Sequence, residues 1–402
     1  MLRIAAFEAD KLPSDILTAA YIINENHTLP VVSVAVDPDE MFGGAGIHTN
    51  YRTEKEIACN LTLFEGEGGF TIDCGIKMFG HMGLTNPKKS FKVNFRGRYG
   101  EDMLNYPVYG EDAPQYYDSL IVRSGQDYPL SIFRDELFTS LARDTGNNIL
   151  AQEDKHCILY INGKYWGIYC LKEAFCETMI ANHYGISQDS VEIIQAPVDN
   201  EYGTEILELI GYCWKANMND QETWEYVSSQ VDVDSLIDWM IMEAYSTNTD
   251  TQQNLRYFRS PELGGGWMFA YYDIDWGWHY NAQFSHVLSP NFTWQHMGIT
   301  KNFMENKEFR QRLLERLSYL LETTLSDENV MARIEYYTEL LDPEVPRERE
   351  RWGSSYEAWE GRVQELRDFL ENGHLRKMIT SLDRFINLTQ TEKEAYFGRW
   401  LK

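Results

Sequence analysis

No apolar run in this chain approaches the roughly 18 residues a membrane-spanning helix needs, so no helical span is expected. Positive charge is also scarce: 36 Lys and Arg stand against 62 Asp and Glu, for a net charge of −26. Binding to phosphate backbones and anionic lipid depends on clustered Lys and Arg, so a nucleic-acid role is excluded. An acidic body suits a basic protein or peptide partner, although solubility alone also accounts for acidity. The six cysteines (59, 74, 157, 170, 176, 213) form no CxxC pair and no Cys/His spacing, which argues against a structural zinc site. Cys170 and Cys176 are near enough in sequence to pair, but free or partly buried thiols are the expectation. Internal repeats and low-complexity linkers are missing as well. Met1 to Glu8 is too acidic, and too short in its apolar part, for a signal peptide. The expectation is either a cytoplasmic protein or one segment of a longer secreted chain.

What is present is a globular composition. The 402 residues are 43% hydrophobic and 14% aromatic, enough for two or three lobes around a sizeable core. Leu29 to Val36 reads as a buried strand, ended by Asp37-Pro38-Asp39-Glu40 and the Gly43-Gly44-Ala45-Gly46 loop. Residues 55–64, 70–79, 89–96 and 118–123 read as further strands between Gly-rich turns. A helix is predicted over about 130–145 from Leu130, Phe133, Leu137, Leu141 and Ala142, with Gly146 as its stop. Cys157 to Ile161 and Lys164 to Leu171 flank Asn162-Gly163, a dipeptide suited to a type I′ hairpin turn. From about 173 the pattern turns helical, with short strands at 255–260 and 267–272. Phe309, Leu313, Leu317, Leu320 and Leu321 mark one late helical stripe, and Trp359, Val363, Leu366 and Leu370 another. Strands first and helices later give an α+β, two-lobed reading.

The chemistry concentrates between Asn248 and Asp275. Asn248-Thr249-Asp250-Thr251-Gln252-Gln253-Asn254 follows an apolar helix carrying Leu236, Met240 and Ala244, and precedes a short strand. Loops held by rigid elements are where reactive groups are commonly placed. About twenty residues on, Trp267 to Tyr272 forms a strand that delivers Asp273-Ile274-Asp275-Trp276-Gly277. Two Asp separated by one residue can both reach a hard cation, or one can bind while the other caps the turn. Asp250 with Asn254 has the form Asp-x-x-x-Asn. Protein kinases use an Asp base, then an Asn metal ligand, then a second Asp before Phe-Gly that holds magnesium. In that order Asn254 and Asp273 would hold metal, Asp275 would support them, and Asp250 would take the substrate hydroxyl's proton. Asp-x-Asp is equally the metal motif of nucleotide-sugar glycosyltransferases, and capping or turn duties explain most such pairs.

Four stretches together resemble the spore coat protein H (CotH) kinase family. They are Pro87 to Phe95 (PKKSFKVNF); Val122-Arg123-Ser124-Gly125 leading to Phe133-Arg134-Asp135; Tyr160 to Glu173 (YINGKYWGIYCLKE); and the Asn-Thr-Asp loop with Tyr-Asp-x-Asp-x-Gly. They run from about residue 30 to 280. The resemblance implies an atypical protein-kinase-like fold with a β-rich N-terminal lobe and a helical C-terminal lobe. It also implies ATP with Mg²⁺ or Mn²⁺, and phosphorylation of Ser or Thr in proteins, often secreted or spore-surface ones. Asp250 and Asp273 become the indispensable pair. Lys89 or Lys92 becomes the nucleotide-phosphate lysine: alternation places Lys89 with Phe91, Val93 and Phe95, which favours it pointing inward, and leaves Lys92 open. Glu173 is a candidate partner for that lysine, Arg123 and Arg134 would hold phosphate or bridge lobes, and Trp267 would stack on adenine or fill the core. The turn Phe79-Gly80-His81-Met82-Gly83-Leu84-Thr85 keeps the family's glycines and lacks its serine and arginine. Residues 1–28 resemble the tail of a preceding domain or a strap, 29–300 the kinase core, and 301–402 a helical extension. An extracellular, cell-surface or spore-coat home and a monomer follow as expectations. A non-catalytic surface module with a structural metal is the alternative from a different class.

Overall fold

The computed structural model describes residues 2–14, 17–125, 131–146, 148–195, 204–279, 281–288 and 297–401. The chain is α+β and clusters into two compact units, neither of them a continuous stretch. Unit 1 comprises Met1–Gln126, Glu153–Asn182 and Thr338–Glu360; unit 2 comprises Asp127–Gln152, His183–Tyr337 and Gly361–Lys402.

Unit 1 is built on a closed barrel of seven strands: β1 (Val31–Val36), β2 (Ile57–Glu65), β3 (Gly68–Phe79), β4 (Ser90–Asn94), β5 (Ser119–Arg123), β6 (Asp154–Ile161) and β7 (Lys164–Glu173). The order around the barrel is β6-β7-β5-β4-β3-β2-β1, closed by a parallel β1–β6 ladder that pairs Val31 with Ile158 and Val34 with Ile161. β1 is buried at every position, which suits a sequence that is apolar at all positions but Ser33. The β6–β7 turn has Asn162 at φ 50° and Gly163 at φ 76°, both left-handed as a type I′ turn requires. Alternation sends Phe91, Val93, Leu120, Val122, Tyr169 and Leu171 to the barrel core.

The helix Val345–Trp352 is tied to the barrel by a buried carboxylate. Glu348 accepts from Lys88 Nζ at 2.6 Å and from Ile168 N at 2.7 Å. Gly167 makes this approach possible: at φ 118°, a Cβ there would lie 2.1 Å from Glu348 Oε2. One turn earlier Glu344 accepts from Thr28 N at 2.7 Å, and its other oxygen lies 3.0 Å from His27 Nδ1, anchoring the entry to β1. Among the described residues, the N-terminal strands Leu2–Ile4 and Leu17–Ala19 pair only with each other.

Unit 2 carries a four-stranded sheet in the order Leu150–Ala151, Met268–Tyr271, Arg256–Arg259, Glu192–Gln195. Helix α2 (Val233–Ser246) packs on Met268–Tyr271; the Trp239 and Phe269 rings meet tilted at 33° with centroids 5.3 Å apart. Its start is set by Asp232, whose carboxylate accepts from Ser235 N at 2.8 Å, a Ser/Asp-type N-cap. Helix α1 (Arg134–Arg143) lies within the predicted 130–145; Leu130 falls outside the described residues. Both late stripes are helices with buried faces, Lys307–Glu322 and Tyr356–Glu371.

Candidate active site

The acidic loop starts where α2 stops. Thr247 takes the left-handed conformation (φ 53°) and ends the helix, and Asn248 Oδ1 then accepts from Asp250 N at 3.2 Å to form the turn that presents Asp250. The second acidic loop is stitched to the same helix end. Trp278 donates its backbone N–H to Ser246 O at 2.6 Å and its indole N–H to Tyr245 O at 2.8 Å, satisfying two carbonyls of the last turn. Gly277 beside it has no room for a side chain, because a Cβ would meet the Phe138 ring at 2.3 Å.

The two loops converge on Asn254. Its amide N–H donates to Asp250 Oδ2 at 3.3 Å and reaches the Asp273 carbonyl at 3.5 Å. Burial pushes the Asp250 carboxyl above the usual range, the Asp273 charge pushes it further, and the Asn254 bond partly opposes both. Two mutually repelling carboxylates near the Asp273 carbonyl offer oxygen donors whose repulsion a hard divalent cation would relieve, and turning the Asn254 amide would add its oxygen, so the residues fit such an ion. Asp275 lies two residues on and is partly buried, but the charge that shifts Asp250 is that of Asp273.

Beneath Asp250 sits a carboxyl that the sequence reading did not single out. Glu243 is buried on α2 and accepts from Thr251 Oγ1 at 2.7 Å, and His286 Nε2 lies 3.9 Å from the same oxygen. Burial raises Glu243 to about 8, with Asp250 adding to the rise, and lowers His286 to about 4. Both shifts favour the neutral form. A further brace comes from α1. Asp135 Oδ1 accepts from Ile274 N at 2.8 Å, and Arg134 donates to the Gly277 carbonyl. Four non-glycine residues with positive φ belong to these loops or their brace: Ile132 (77°), Thr247 (53°), Asp273 (61°) and Trp278 (53°). Strain of this kind persists only where the surroundings over-determine the backbone, and it gathers at functional sites.

The remaining candidates are placed as follows. Trp267 is 2% exposed with the Arg259 guanidinium 4.3 Å from its ring centroid, so a base could stack there only after that contact opened. In unit 1, the Lys89 ammonium is used within its own turn, donating to Leu84 O at 2.7 Å and to Asn86 O, and lying 4.6 Å over the Tyr51 ring. It pins the glycine turn from within. Lys92 faces the other way: cross-strand register aligns Lys92, Ile121, Lys172 and Asp154 on the face opposite the barrel core. Lys172, buried at 1%, is a cation the sequence reading passed over, and it became visible only through this register. Glu173 has the opposite parity. It accepts from Glu153 N at 2.9 Å; burial raises the phenols of Tyr109 and Tyr117, and the Glu173 charge adds to the rise. Arg123 lies opposite Cys170 on the outer face. There Asp154, His156 and Cys170 bring three donor atoms within 4.8 Å of one another, with His156 directly across from Cys170. Lys172 opposite Asp154 and Arg123 opposite Cys170 put positive charge beside this group, which disfavours a cation there.

Residues 76–374 match the family described as CotH kinase protein. The chain belongs to the CotH kinase family. The match takes in β4 to β7, both acidic loops and α1, and stops at His374. No curated protein matches the chain.

Proposed function

We propose that this CotH family member is a protein kinase that transfers the γ-phosphoryl group of ATP to Ser or Thr hydroxyls of a protein. The observation that carries the reading is the held approach of Asp250 to Asp273 through Asn254, with Asp250 raised by burial and by its acidic neighbour. A carboxylate of raised basicity is better matched to accept a hydroxyl proton near neutral pH. Asp273 and Asn254 would hold Mg²⁺ or Mn²⁺, with Asp275 in support. The bound ion would neutralise phosphate charge as the phosphoryl group moves. Of the two candidate lysines, Lys92 is the one this reading carries forward for the phosphates, since Lys89 donates within its own turn. With a net charge of −26, a basic protein is the favoured substrate class, and a secreted or spore-surface setting accords with the family.

The test is incubation with labelled ATP and Mg²⁺ or Mn²⁺, alone and with a basic Ser-rich protein. Label should pass to protein hydroxyls, and Asp250→Asn should cut the rate by about 10²- to 10⁴-fold, the worth of a general base. Asp273→Asn should abolish the stabilising shift given by nucleotide with metal. No transfer and no shift with ATP would sink the reading. Stabilisation by a UDP- or GDP-sugar with Mn²⁺ instead would assign the site to glycosyl transfer.

A further inference from the structure

The barrel core holds two cysteines face to face. Cys59 on β2 and Cys74 on β3 are directly opposite in the antiparallel ladder, and their sulfurs lie 3.4 Å apart. Both belong to the apolar cluster that fills the barrel, at 7% and 0% exposure. The other strand cysteines lack such a neighbour across the β6–β7 ladder: Cys157 faces Tyr169 and Cys170 faces His156. Cys176, which the sequence suggested as a partner for Cys170, has its thiol 3.5 Å from Asp118 Oδ1. Opposed residues on antiparallel strands keep Cβ atoms about 4.5–5.5 Å apart, and a disulfide needs about 3.5–4.5 Å. The closure therefore needs only a local contraction of the ladder.

We propose that Cys59 and Cys74 are an oxidisable dithiol that closes to an intrasheet disulfide in an oxidising compartment, stapling β2 to β3. The co-reactant is a small-molecule disulfide of the glutathione class. The thiolate of Cys59, the less buried of the two, attacks it, forming a mixed disulfide and releasing one thiol. The Cys74 thiolate then attacks the Cys59 sulfur, forming the protein S–S bond and expelling the second thiol. In balance, the protein loses two hydrogens and the small disulfide is reduced to two thiols. Because both sulfurs are buried in the folded barrel, the exchange belongs to the folding chain or to an opened hairpin. The staple holds the strand whose end, Phe79, leads into the glycine turn.

The full chain, reduced and unfolded, is refolded in a mixture of reduced and oxidised glutathione, and thiols are counted after denaturation. The count should fall from six to four, the mass by two hydrogens, and digestion should give the Cys59 peptide joined to the Cys74 peptide. The oxidised protein should melt above the reduced one, and Cys59→Ser should remove both the cross-link and the gain. Six titratable thiols after refolding, or a cross-link between other cysteines, overturns the proposal. If refolding yields no folded protein, the same count on chain exported to a bacterial periplasm decides: a Cys59–Cys74 link supports it, and two free thiols at these positions refute it.

Discussion

At the scale of the residue, Glu243 shows how a buried group can serve a site it never touches directly. Its carboxyl holds the Thr251 hydroxyl, and so holds the turn that carries Asp250. Burial raises its pKa to about 8 from an ordinary 4.5, so the folded protein binds this proton more tightly than the unfolded chain. Stability from this group is therefore undiminished below about pH 4.5 and is lost progressively as pH rises through about 8. Glu243→Gln, which keeps the shape and is always neutral, should remove that part of the pH dependence. Denaturation midpoints at pH 5, 6.5 and 8 should show the wild type losing ground to the variant as pH rises. Glu243→Ala, which leaves Thr251 Oγ1 without this acceptor, should cost about 1–3 kcal/mol at all three. Nothing in the sequence flagged this residue, because Trp239 to Tyr245 reads as a helix interior and Glu243 as one stray charge in it. By contrast the grouping of Asp250, Asn254 and Asp273 could be anticipated from spacing, a local property of the chain, although Asn254 ends a short helix, Thr251–Asn254, rather than lying in a loop.

At the scale of the element, α1 braces the second acidic loop from far away in sequence. The Asp135 bond to Ile274 N joins residues 139 apart, and no sequence spacing reports such a contact. The stretch Phe133-Arg134-Asp135 was recognisable as a motif, but the contact that the Arg134 guanidinium makes with the Gly277 carbonyl was not. Asp135→Ala should release Ile274 N, cost about 1–3 kcal/mol and weaken metal-dependent nucleotide binding. Asp135→Asn, which keeps an acceptor oxygen, should restore most of both. A thermal-shift titration with nucleotide and metal on the two variants separates these outcomes. Hairpins and amphipathic helices were legible because Asn-Gly turns and apolar periodicity are short-range codes. The neighbours of each strand were not, and the alignment of Lys92 with Lys172 depends on register across β5.

At the scale of the whole molecule, the α+β class could be read from the succession of patterns, whereas the barrel could not. Its closure uses β6 and β7, which return to unit 1 after the excursion from Asp127 to Gln152. A fragment ending at Gln126 leaves β1 and β5 with unpaired edges and the core open. Such edges template aggregation. The fragment should therefore be insoluble or lack native amide protection in hydrogen exchange, while the full chain protects β1 strongly. A soluble fragment with protected β1 amides would contradict this reading of the closure.

The parallel β1–β6 ladder also has a consequence for synthesis. The ribosome delivers Val31–Val36 before the other six barrel strands, and β2 can pair with one of its edges soon afterwards. The other edge must wait for Ile158 to Ile161, roughly 120 residues later, which at about 5–20 residues per second is on the order of ten seconds. Through that interval the nascent chain presents a largely apolar, half-paired strand to solvent. This is a strong demand for early chaperone binding, set by nothing more than which strand closes the barrel.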